Sequence, residues 1–85
     1  MRLLATHPFT AQQLLQRLRG DFADFAGQHV ARTDRTEGLK LIFDDRSWLL
    51  MRPSGTEPIV RIYSEAASIK ESEQLAEDAR KWIYS

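Results

Sequence analysis

Leu39-Lys40-Leu41-Ile42-Phe43-Asp44-Asp45-Arg46-Ser47-Trp48-Leu49-Leu50-Met51 decides the architecture of this chain. Leu39, Leu41 and Phe43 alternate with Lys40 and Ile42, the period-two signature of a strand. Asp44-Asp45-Arg46 interrupts the run with turn-forming residues. From Ser47 to Met51 the chain is apolar on both faces, Trp48 and Leu50 against Leu49 and Met51, as expected of a central, covered strand. So short a connection between two strands favours antiparallel pairing.

Working outward, Thr36-Glu37-Gly38 reads as the turn before this pair. Gln28 to Asp34, with His29, Val30 and Thr33, reads as a weaker strand. Downstream, Ile59 to Glu65 puts Val60 and Ile62 on one face and Ile59, Arg61 and Tyr63 on the other. A helix is expected on each side of this block. In the first, Thr10 caps with Gln13 and Phe9 staples to Leu14. Ala11, Leu14, Leu15, Leu18, Phe22 and Phe25 form its apolar stripe, and Gly27 is the stop. Gly20 weakens that run by about 1 kcal/mol relative to Ala. In the second helix, Ser68 and Glu71 make a capping box before the stripe Leu75, Ala76, Ala79, Trp82 and Ile83. Glu71, Glu73, Glu77, Asp78 and Arg80 read as its solvated face. The sum is a two-layer α+β domain: an antiparallel sheet of about four strands with two helices on one face.

Composition narrows the function. The chain of 85 residues has 12 Lys+Arg against 12 Asp+Glu, a net charge of zero. That balance argues against a nucleic-acid clamp or a membrane-surface module, which usually carry a basic excess. With 42% hydrophobic and 28% charged residues the composition is globular, and with no cysteine there is no disulfide, thiolate metal site or cysteine nucleophile. His7 and His29 lack carboxylates at ligand spacing and read as surface or edge residues, so no metal site is expected. The apolar start of the chain is too short for a signal peptide, which makes a cytoplasmic location the expectation.

One stretch carries chemistry. Arg52-Pro53-Ser54-Gly55-Thr56-Glu57-Pro58 lies between two strands. Its prolines stiffen the connection and its glycine lets a ligand approach the backbone. Ser54 and Thr56 bring hydroxyls beside N–H groups that can converge on an anion, and Arg52 can fork onto two of its oxygens. Arg61, on the next strand, brings a second positive charge toward the same mouth. Glu57 opposes an anion unless it points away or braces an arginine. The same residues also suit a plain turn whose hydroxyls bond their own backbone.

This loop and the following Ile59-Val60-Arg61-Ile62-Tyr63-Ser64-Glu65-Ala66 resemble the phosphate-binding loop and next strand of the α-D-phosphohexomutases. That family includes phosphoglucomutase, phosphomannomutase and phosphoglucosamine mutase. Glu37 to Phe43 and Ser47 to Leu50 are similar to the two preceding strands, so the likeness covers Thr36 to Ala66. Asp44-Asp45-Arg46 departs from the family's more usual Asp-Gly hairpin. The resemblance implies the fourth, C-terminal domain of a four-domain enzyme, with a fold like the TATA-box-binding protein. It implies one domain over 1–85, with 1–7 a linker remnant. It also implies that Arg52, Ser54, Gly55, Thr56 and, more weakly, Arg61 bind the phosphate of a phosphosugar. The catalytic phosphoserine and the Mg²⁺ loop would belong to the other domains, so no catalytic residue and no activity are expected in this chain alone. The other reading is a stand-alone protein-interaction module.

Overall fold

A computed structural model describes residues 2–8, 16, 18–53 and 59–83, with backbone only for 2–8. Among these, six strands and one helix form an α+β domain: β1 (Arg2–Pro8), β2 (Asp24–Phe25), β3 (Gln28–Asp34), β4 (Leu39–Phe43), β5 (Trp48–Pro53), β6 (Ile59–Glu65) and α1 (Ile69–Ile83). The sheet order is β1-β6-β5-β4-β3-β2, and every neighbouring pair is antiparallel.

The alternation in β4, β5 and β6 does what period-two patterning requires. Leu39, Leu41, Phe43, Leu49, Met51, Val60 and Ile62 are buried on one face, each no more than 2% exposed. The helix α1 lies on that face against β6, β1 and β5, and adds Leu75, Ala79 and Ile83 to the core. Its first turn is capped as the sequence indicates, with the Glu71 N–H donating to Ser68 Oγ at 3.2 Å. Ser64 and Ser72 are fully buried where β6 meets α1, and the Ser64 hydroxyl donates to the Ser72 carbonyl at 2.8 Å. Small side chains at this crossing let helix and sheet come close.

The opposite face is half-buried and carries Lys40, Ile42, Trp48, Leu50, Arg61, Tyr63 and Glu65. Trp48 Nε1 donates to Glu65 Oε2 at 2.7 Å, and Lys40 Nζ stands 4.4 Å from the centre of the Trp48 ring. The β4–β5 turn is held by Asp45, whose Oδ1 accepts from the N–H and hydroxyl of Ser47. Those bonds keep the Asp45 carboxyl below its usual pKa. Arg46 takes the left-handed conformation (φ 72°) that glycine more often supplies in such a turn.

Two expectations change. The first helix was expected to run from its Thr10 cap to Gly27. Residues 9–15 and 17 lie outside the described residues, but 18–27 are not helical: Leu18 and Arg19 turn, and Asp24–Phe25 forms β2. Ala26 and Gly27 both have positive φ (52° and 79°), and Phe25 pairs directly with Gln28. That is a two-residue hairpin turn of the primed kind, so Gly27 serves a turn rather than a helix stop. Leu18 and Phe25 do reach the core, and Phe22 packs against it; the two phenylalanines meet Trp82 edge-on at centroid distances of 5.6 and 5.9 Å. Gln16 is helical, so it is only the part of the expected first helix from Leu18 onward that the described residues replace with turns and β2.

The second change is at the start of the chain. Residues 2–7, expected as part of a linker, are in strand β1, paired with β6 from Arg2 opposite Glu65 to Pro8 opposite Ile59. The sheet thus has six strands where about four were expected. Among the described residues no helix is long and apolar enough to cross a membrane.

Candidate functional site

The strand register brings the two candidate arginines together. Arg52 on β5 is the direct cross-strand partner of Arg61 on β6, and one step further Pro53 pairs with Val60. Met51 and Ile62 point into the core, so both arginines stand on the opposite face. Arg52 is exposed and Arg61 half-exposed. Like charges directly opposite each other disfavour the pairing, yet neither guanidinium has an acidic partner among the described residues. An anion between them would remove that repulsion. Ser54, Gly55 and Thr56, the other candidates, lie outside the described residues, as do Glu57 and Pro58.

On the other side of Arg52 lies a residue that the sequence reading treated only as a turn former. Gly38 precedes β4 with φ +146°, and a Cβ added there would stand 2.5 Å from the Met51 carbonyl oxygen and 3.1 Å from Arg52 Cα. Gly38 and Arg52 line a cavity of about 360 Å³ together with Leu18, Arg35, Glu37, Leu39 and Pro53, so one carboxylate shares the wall with the arginines. Arg35 forms part of its wall by donating from Nη1 to the Leu18 carbonyl and from Nη2 to the Gly20 carbonyl, both at 2.6 Å. The only signal for Gly38 in the sequence was its place beside a strand start. Nothing in the sequence announced Arg35.

The histidines are not part of this cluster. His7 lies in β1 at the sheet edge. His29 Nδ1 bonds the Asp44 carboxylate at 3.0 Å, an exposed contact that raises the His29 pKa. Among the described residues no group of three or more His, Asp or Glu is placed to hold a metal ion.

The site thus sits on a small antiparallel domain, covered by a helix on one face and presenting paired cations on the other. Residues 9–81 match the family model described as the phosphoglucomutase/phosphomannomutase C-terminal domain, and the chain belongs to that family. It is 47% identical over 55 residues to a phosphoglucomutase/phosphomannomutase of Thermococcus kodakarensis, covering 65% of this chain and 12% of that protein. A probable phosphoglucosamine mutase of Methanothermobacter thermautotrophicus is 29% identical over 70 residues, 82% of this chain and 15% of that protein. A phosphopentomutase, also of Thermococcus kodakarensis, is 45% identical over 42 residues, 49% of this chain and 9% of that protein. The chain thus spans between 9% and 15% of the length of these relatives.

Proposed function

We propose that this chain is the substrate phosphate-binding domain of a phosphohexomutase, gripping the phosphate of a phosphosugar that is not being transferred. The observation that carries the reading is the Arg52–Arg61 register, which sets two cations side by side where β5 and β6 flank residues 54–58. Arg52 forks onto two phosphate oxygens, Arg61 adds charge, and Ser54, Gly55 and Thr56 supply hydroxyl and N–H donors. The relatives are named for different sugars, including a pentose, which suits a contact made to phosphate and not to the sugar ring. Binding energy from this remote group is available to position the reacting end against partner domains. The phosphoserine and Mg²⁺ of the reaction belong to those partner domains, and this chain is not catalytic alone. A cytoplasmic setting and no role with nucleic acid or membrane accompany the reading.

Titration of the chain with glucose 1-phosphate, followed through backbone amide shifts, tests it. Amides of residues 52–61 should move with a Kd of about 1 mM or weaker, since a single water-exposed loop gives about −4 kcal/mol or less. Affinity should fall with added salt, and below about pH 6 as the dianion takes up a proton. Motionless amides at 54–56 would favour the interaction module instead.

A further inference from the structure

Arg52 is the exposed, next-to-last residue of β5. Position matters there, because a fork aimed at two oxygens loses its advantage when its base moves by a fraction of an ångström. On one side Arg52 is held by the ladder to Arg61. We infer that Gly38, delivered by the β3–β4 turn, is the residue that positions Arg52 from the other side. This rests on the phosphate reading above.

The geometry is specific. Leu39 pairs with Met51, which brings Gly38 level with Arg52. The atoms that a Cβ at residue 38 would strike are the Met51 carbonyl oxygen at 2.5 Å and Arg52 Cα at 3.1 Å, with Arg52 Cβ at 3.4 Å. The first two are backbone atoms, which cannot swing aside as the tip of a side chain can. Any larger residue therefore displaces the Met51–Arg52 peptide, and with it the root of the guanidinium. The φ of +146° is also one that glycine alone adopts without strain.

The turn that carries Gly38 is itself pinned. Asp34 Oδ1 accepts from the Thr36 N–H at 2.9 Å and from the Thr36 hydroxyl at 2.7 Å. These bonds lower the Asp34 pKa, so the acceptor stays ionised through neutral pH. Arg35, in the middle of the turn, ties it to the Leu18 and Gly20 carbonyls. Gly38 contributes no group to the phosphate; it acts through Arg52.

The test compares Gly38→Ala with Gly27→Ala by titrating each folded chain with inorganic phosphate. Gly27 also has positive φ (+79°), a milder left-handed conformation, and an added Cβ there meets nothing within 4 Å, so it controls for a positive-φ glycine replacement without the contact. Gly38→Ala should shift the ligand-free amides of Met51 and Arg52 and weaken phosphate binding about tenfold. Gly27→Ala should bind like the parent chain even though it melts earlier. A folded Gly38→Ala chain with unchanged phosphate affinity would overturn the inference and leave the phosphate reading standing. If Gly38→Ala does not fold, Thr36→Val takes its place, a charge-neutral change that removes one of the two Thr36–Asp34 bonds that help pin the turn. About twofold weaker binding supports the inference, and unchanged binding overturns it. No affinity in the parent chain itself would be a failure of the phosphate reading, and the positioning role would fall with it.

Discussion

Arg52 and Arg61 are a costly pair of neighbours for a sheet, because each stands opposite a like charge and neither forms a salt bridge among the described residues. The two roles open to Arg52 separate experimentally. As a phosphate ligand, Arg52→Ala should lose about 1.5–3 kcal/mol of binding, the range for hydrogen bonds to a charged group, while Arg52→Lys recovers only part. Stability should change by no more than about 0.5 kcal/mol, since an exposed cation is removed from beside another. Glucose 1-phosphate titration and thermal melting of the same variants check both halves. A lower melting point with intact binding would make Arg52 a staple to Glu57 and not a ligand.

At the scale of elements, the contact between β6 and α1 is set by two serines. Ser64→Ala removes a buried hydrogen bond and should cost about 1 kcal/mol, whereas Ser64→Val adds bulk at a crossing with no room and should cost about 1–3 kcal/mol. Denaturant midpoints at constant slope measure the difference. The β3 to β4–β5 turn contact is pH-dependent. The hydrogen bond from His29 to Asp44, and then the Asp44 charge, raise the His29 pKa above 6.5. The pair's stabilisation is therefore fully present below pH 6.5 and is lost as pH rises through the folded-state pKa. The contact is exposed, so the effect is small and salt-sensitive. His29→Gln should remove the decline in melting temperature above pH 6.5, and an unaltered decline would exclude the pair as its source. The central elements were legible because β4 and β6 bury alternate side chains, which writes a period of two into the sequence, and because β5 is a short apolar run behind turn residues. β2 was hidden because Phe22 and Phe25 are spaced as on a helix and Gly27 suits a helix stop as well as a hairpin. β1 was hidden because its partner is remote in sequence and no local pattern encodes a pairing. The site's cations were legible as residue types, but their direct opposition depends on register, which only pairing fixes.

For the whole molecule, net charge is zero while cations gather at one hairpin mouth, so any steering of an anion is local and not a property of the overall field. The chain covers 12% of its Thermococcus phosphoglucomutase/phosphomannomutase relative. Rigorously purified chain should accordingly show no conversion of glucose 1-phosphate, even with Mg²⁺ and a sugar bisphosphate supplied. Turnover that co-purifies with the chain would refute the assignment of chemistry to partner domains.

The placement of β1 bears on how the domain assembles. Its partner in the sheet, β6, begins only at Ile59, after β2 to β5 have been made. During synthesis the first strand is thus waiting on almost the last, while the β2–β3, β3–β4 and β4–β5 pairings close locally as the chain emerges. Closing so long a loop is slower than closing the local hairpins, so β1 is expected to dock after them. Its amides should exchange with solvent through opening that leaves the Arg52–Arg61 ladder intact. The same dependence gives β6 two duties, since its one edge holds the cation pair and its other edge is the template on which β1 is laid down.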